Sequence, residues 1–123
     1  MTLAATLIIV GRVVFGAFFV IAGIRNFIHF DERRDLKTNY GWTLPAPLLG
    51  LGFAVQILGG LSVLLGMWPV LGALALIVFL VPATALFHNF LRFEGKERDP
   101  HLYLTLVNST LVGGFLMVIA TAM

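Results

Sequence analysis

Long apolar segments separated by short polar ones dominate the chain. Four stand out, at residues 3–27, 46–65, 70–91 and 102–123. Each has about 20 residues or more, and as a helix rising about 1.5 Å per residue each is long enough to cross the roughly 30 Å hydrocarbon core of a bilayer. Backbone polar groups in lipid must be paired within the protein, which favours helices. The pattern therefore predicts an all-α protein, a transmembrane four-helix bundle that forms one domain over residues 1–123.

The connections between these segments fit antiparallel neighbours. Residues 66–69, Gly-Met-Trp-Pro, predict a tight turn, because Gly favours the end of one helix and Pro the start of the next. Residues 92–101 predict a short charged loop. Residues 28–45 form the longest connection, and its charges nearly balance. We interpret it as a solvated loop, with an interfacial helix or a partner-binding surface as the alternative.

Composition supports a membrane protein. Hydrophobic residues make up 59% of the chain and charged residues 11%, and the mean hydropathy is +0.99. A small soluble domain needs more polar surface than this. The basic residues form no basic face, so nucleic acid is not an expected partner. The chain has no Cys, which excludes disulfides and thiol chemistry. The expected partners are the lipid bilayer and either another membrane protein or further copies of this chain.

Basic residues outside the apolar segments lie on one side of a four-span arrangement. They occupy or flank the first and third connections: Arg25, Arg33, Arg34, Lys37, Arg92, Lys96 and Arg98. Positively charged loops tend to stay in the cytoplasm. The bias predicts cytoplasmic charged loops and outside termini, in a plasma membrane of the bacterial type. Interfacial aromatic residues agree, since Tyr40, Trp42 and Tyr103 fall at one face and Trp68 at the other.

Two polar residues in the first half of the chain are candidates for ligand binding. Arg12 lies within the first apolar segment, where no Asp or Glu is available to pair it. Its long side chain either reaches the outer headgroups or faces inward and binds an anion, a carbonyl or a quinone-like head group. Gln56 lies near the middle of the second segment, with Gly52 and Gly60 one turn away on either side. It is expected to form an interhelical hydrogen bond, and Arg12 is one candidate partner.

Two further candidates lie in the third and fourth segments. His88 is suited either to proton relay and ligand binding or simply to interfacial hydrogen bonding. Asn108 lies at a similar depth, so the two side chains are within reach of each other in a bundle. The Ser109-xxx-Gly113 and Thr110-xxx-Gly114 spacings are typical of helix packing. The candidate ligand set is therefore Arg12, Gln56, His88 and Asn108, and the sequence predicts neither a catalytic residue nor a metal site.

Several short motifs follow one another along the chain. They are Gly11-Arg12 followed by Phe18-Phe19 and Gly23, Leu44-Pro45-Ala46-Pro47, Gln56 before Gly59-Gly60 and Leu64-Leu65-Gly66, and then His88 and Asn108. In order and spacing they resemble the DoxX-like family of small four-helix integral membrane proteins, over nearly the whole chain. The departure is Gln56, which stands where the family pattern has an acidic residue. Gln cannot titrate, so a proton-transfer role at that position is not expected.

The resemblance implies a role in a membrane complex. Proteins of this kind include a subunit of thiosulfate:quinone oxidoreductase and others tied to redox stress or to the assembly of partner proteins. We expect an accessory or scaffolding subunit, with a quinone-binding subunit of a membrane redox system as the alternative and a small-solute carrier as a third interpretation. No cofactor is certain, quinone being the candidate, and the chain is not expected to be a complete enzyme by itself.

Overall fold

The computed structural model describes all 123 residues and is built from helices. They are α1 (Leu3–Ile28), α2 (Phe30–Arg34), α3 (Ala46–Leu65), α4 (Pro69–Phe87) and α5 (Arg98–Ala122), with single 3₁₀ turns at Phe90–Arg92 and Gly95–Glu97. The only strand-like pairing is one isolated bridge between Lys37 and Thr43. Four of the helices are long and apolar enough to cross a membrane. The predicted all-α four-helix bundle is confirmed.

Local sequence explains where the helices begin and end. Thr2 caps α1, its hydroxyl oxygen accepting from the backbone N–H of Ala5 at 3.1 Å. Gly66 ends α3 with φ +72°, a left-handed conformation that glycine adopts without steric cost. Pro69 then opens α4, so the predicted turn is present. Ser62 steadies this turn from inside α3, its hydroxyl donating to the carbonyl oxygen of Trp68 at 2.9 Å.

The helices pack in chain order, α1 against α3, α3 against α4 and α4 against α5. Aromatic rings join α5 back to α1, where the ring centroid of Phe115 lies 5.0 Å from that of Phe15 and 5.1 Å from that of Phe19. Val63, Ala73 and Leu76 are also fully buried at this centre. Few other side chains are buried, and the outward faces of all four long helices are apolar. In an integral membrane protein such surfaces contact lipid.

Glycines set the distance between the first three long helices. A Cβ added at Gly16 of α1 would lie 2.5 Å from the carbonyl oxygen of Gly60 in α3. A Cβ added at Gly72 of α4 would lie 3.0 Å from the carbonyl oxygen of Gly59. Backbones this close need residues without side chains at the contact, as is usual between membrane helices.

The two ends of the bundle differ. We call the end formed by residues 29–45 and 88–97 the loop end, and the end formed by residues 66–68 and both termini the turn end.

The prediction of a simply solvated first connection is incomplete. Thr38 is 5% exposed, and the backbone N–H of Asn39 donates to the carbonyl oxygen of Leu86 at 2.7 Å. The connection therefore folds back onto the end of α4.

Candidate functional site

A cavity of about 820 Å³ lies between the helices in the half of the bundle nearest the loop end, and it is open on the side where the exposed Leu51 and Val78 line it. Seventeen of its 27 lining residues are hydrophobic, contributed by α1, α3, α4, α5 and the first and third connections. Eight polar or charged residues also line it: Asn26, Arg33, Lys37, Asn39, Gln56, His88, His101 and Asn108. Three of the four predicted ligand residues, Gln56, His88 and Asn108, are thus brought to one cavity, and no carboxylate lines it.

Gln56 is the most deeply buried polar side chain of the cavity, at 6% exposure. Its Oε1 accepts a hydrogen bond from Nδ2 of Asn26 at 2.9 Å. Oδ1 of Asn26 in turn accepts from Nε of Arg33 at 3.2 Å. A chain of three side chains therefore connects the guanidinium of α2 at the loop end to the interior of α3.

His88 follows α4 directly and faces a second imidazole. Its Nδ1 lies 3.3 Å from Nδ1 of His101 at the start of α5. At this contact one ring must donate and the other must accept. The ring of Phe93 stacks on that of His101, with centroids 3.8 Å apart and planes at 8°. The pair is held in place by packing at the loop end of the cavity.

Asn108 and His88 both line the cavity, and no hydrogen bond joins their side chains. Nδ2 of Asn108 donates to the hydroxyl oxygen of Thr84 in α4 at 2.9 Å. One turn closer to the loop end, the hydroxyl of Thr105 lies 2.6 Å from the carbonyl oxygen of His88. These bonds tie α5 to the last turns of α4 along the wall of the cavity.

Arg12 does not line this cavity, and the anticipated contact with Gln56 is not formed. Its guanidinium lies over Gly66, where an added Cβ would be 2.8 Å from Nη1. Its Nε is buried without a hydrogen-bond partner. The reason is register: because Gly16 faces Gly60, Arg12 lies about 6 Å toward the turn end and Gln56 about 6 Å toward the loop end, at 1.5 Å per residue.

The sequence reasoning missed Asn26, which is the partner that Gln56 has. A signal was present, because the stripe Arg12, Gly16, Phe19, Gly23 continues by one helical step to Asn26. Arg33, Lys37 and Asn39 were missed for a different reason. They belong to the first connection, and only its folded path brings them over the cavity.

The match to a family model agrees with this architecture. The model for DoxX matches residues 7–89, which is more than half of the chain. The chain belongs to the DoxX family. It is an integral membrane protein, with four helices able to span the bilayer. The matched part of this DoxX chain includes Arg12, Gln56 and His88, whereas His101 and Asn108 lie in α5 beyond it. Comparisons with curated proteins and with solved structures gave no match.

The small residues of α5, whose spacing predicted helix packing, do not all pack inside the bundle. Ser109, Thr110 and Gly113 are exposed, and a Cβ added at Gly113 would meet nothing within 4 Å. Gly114 does pack inward, against the ring of Phe15. Three of the four small residues therefore form an outward face of α5.

Proposed function

We propose that this DoxX protein is an accessory subunit of a membrane redox system and that it binds a quinone-type ligand in the cavity at the loop end. The cavity itself carries the proposal. Its volume of about 820 Å³ falls within the range of about 300–1,000 Å³ typical of small-molecule sites. A mostly apolar lining with a few polar groups is also typical of such sites.

The residues present fit a quinone. Its ring and tail need apolar walls, which α3 and α4 supply with residues such as Phe53 and Phe79. Its carbonyl oxygens need hydrogen-bond donors, and Arg33, Gln56 and His88 can provide them. A bound quinone would supply the electron-carrying chemistry. The chain's own residues would hold the head group and exclude water from it.

The first experiment asks whether quinone accompanies the purified protein. The full chain is extracted into lipid nanodiscs, its lipids are taken up in organic solvent, and quinones are counted per protein by mass spectrometry. We expect a stoichiometric amount. Gly52→Phe, which places a ring beside Phe79 at the cavity wall, should lower it. Gly11→Phe is the matched control, because Gly11 has no neighbour within 4 Å. Quinone at background in the wild-type protein would refute the proposal.

A second candidate is a scaffolding subunit that binds another membrane protein or a second copy of this chain through its helices. The exposed face of Ser109, Thr110 and Gly113 favours it, because small residues let a partner helix approach closely. Gly113→Leu should then reduce recovery of a stoichiometric partner, or of the dimer, after cross-linking in native membranes. Recovery equal to that of Gly11→Leu would count against this role.

A further inference from the structure

The hydrogen-bond chain from Arg33 to Gln56 has a fixed direction. A guanidinium has only donors, so Nε of Arg33 must donate and the atom of Asn26 facing it must be the acceptor Oδ1. The amide nitrogen of Asn26 therefore points the other way and donates to Gln56. The atom of Gln56 that receives this bond must be Oε1. Each amide orientation follows from the arginine, which settles the usual ambiguity between O and N.

The direction of the hydrogen-bond chain determines which atom of Gln56 remains free to bind a ligand. With Oε1 engaged, Gln56 presents its Nε2, with two N–H donors, and this nitrogen makes no hydrogen bond within the protein. The side chain is 94% buried, being 6% exposed, and it lines the cavity. Only one side-chain nitrogen or oxygen is both inaccessible to solvent and without a hydrogen-bond partner, and it is Nε of Arg12. Nε2 of Gln56 also lacks a partner, so it must be accessible. The free donors therefore open into the cavity.

We propose that Gln56 is the head-group recognition residue of the cavity and selects ligands that present a carbonyl oxygen. This inference rests on the proposed function and adds the chemical class that the site prefers, a quinone over its quinol. A buried donor is costly to leave unpaired, and a carbonyl oxygen satisfies it fully. A quinol hydroxyl also brings a proton that needs an acceptor. Next to Gln56 the amide oxygens are already engaged, its own Oε1 by Asn26 and Oδ1 of Asn26 by Arg33, and no carboxylate lines the cavity, so the immediate surroundings of Gln56 favour the acceptor-only ligand.

Asn26→Asp tests the direction of the hydrogen-bond chain without changing Gln56. The new carboxylate would be held ionised by Arg33 and could only accept, so Gln56 would turn its Nε2 toward that carboxylate and present Oε1 to the cavity. The variant keeps the size of the side chain and reverses the polarity of the recognition atom. Gln56→Met is the second variant, since it removes the donors at similar volume. Asn89→Asp is the matched control, because it makes the same substitution at the loop end outside the cavity lining.

Binding is measured by calorimetry on the full chain in nanodiscs. Three probes share one tail: decylbenzoquinone, its quinol kept reduced under argon, and decylbenzene, which lacks oxygen. We expect the wild-type protein and Asn89→Asp to bind the quinone about tenfold more tightly than the quinol and decylbenzene, the effect of one well-made hydrogen bond to a carbonyl. Asn26→Asp should remove or reverse the preference for quinone over quinol. Gln56→Met should bring the quinone down to the affinity of decylbenzene.

The outcomes separate this inference from the function on which it rests. If the wild-type protein binds none of the three probes, the proposed quinone site fails. If it binds all three equally, the cavity is a ligand site but Gln56 does not recognise a carbonyl. If the preference is present and survives in either folded variant, another residue is responsible and the inference is overturned. Circular dichroism confirms folding, and one folded variant is enough for the decision.

Discussion

The contact between α1 and α3 gives a sharp test of the packing, through Gly16→Ala. A Cβ at this position would lie 2.5 Å from the carbonyl oxygen of Gly60 and 2.5 Å from Cβ of Leu64. Neither neighbour is the end of a flexible side chain, since one is backbone and the other is fixed to it. The added methyl group therefore cannot be accommodated by a change of rotamer.

The magnitude follows from the distances. Ordinary contacts of a Cβ begin near 3.4 Å, so α1 and α3 must separate by about 1 Å, which loosens the packing along their whole interface. Overpacking of this kind costs about 1–3 kcal/mol. Gly23→Ala should cost less, because the nearest atom there is Cγ1 of Ile57, and the backbone lies farther off at 3.3 Å. The expected order of destabilisation is thus Gly16 above Gly23.

The assay is reversible unfolding in mixed micelles of dodecylmaltoside and increasing dodecyl sulfate, followed by far-ultraviolet circular dichroism. Gly11→Ala is the control on the same helix, since its Cβ would meet nothing within 4 Å. Alanine favours a helix over glycine by up to about 1 kcal/mol, so this variant should be neutral or slightly more stable. Equal free energies of unfolding for Gly16→Ala and Gly11→Ala would refute the close backbone contact.

Other contacts lead to further predictions. Gly66→Ala should destabilise by about 1–2 kcal/mol from left-handed strain and by more from displacing Arg12; in an Arg12→Ala background only the strain remains, and additive effects in this double-mutant cycle would contradict the contact. Asn39→Ala removes the bond of its side chain to the backbone N–H of Asn89, so hydrogen exchange and protease cleavage in residues 35–45 should accelerate, and unchanged protection would contradict the docking. Phe115→Ala should cost about 3–5 kcal/mol in the same unfolding assay, and a loss below about 1 kcal/mol would contradict its central place. A C-terminal tag should be accessible from outside intact cells, and labelling only after lysis would overturn the orientation.

The fold was predictable because its signals are long and local. Twenty or more apolar residues in a row indicate a membrane helix whatever their neighbours are. The turn after Gly66 could be placed because glycine and proline act on their own backbones. The start of α5 was predicted less accurately, because the helix begins at Arg98, four residues before the apolar segment begins. Charged residues in a first turn face water and lower the local hydropathy, so an apolar segment begins later than its helix.

The cavity was only partly predictable because it depends on register. Buried polar residues are rare in membrane helices, so rarity alone identified Gln56 and Asn108. Which residues face one another depends on where two helices cross, and here Gly16 and Gly60 decide it. That crossing places Arg12 beside Gly66 and Asn26 beside Gln56. The path of the first connection, which brings Arg33 over the cavity, follows from tertiary contacts that no local pattern records.

The two arginines explain why an uncharged residue at position 56 is consistent with this structure. Arg12 lies at the carboxyl end of α3, where the helix dipole stabilises a cation without a carboxylate. It therefore does not need Gln56. Arg33 is linked to Gln56 only through Asn26, whose amide accepts from Arg33 and donates to Gln56. An ionised Glu at position 56 would accept the same bond from Asn26 but would present a second acceptor to the cavity. An amide rather than an acid at position 56 would thus offer a ligand a donor instead of an acceptor, and it leaves the hydrogen-bond chain intact.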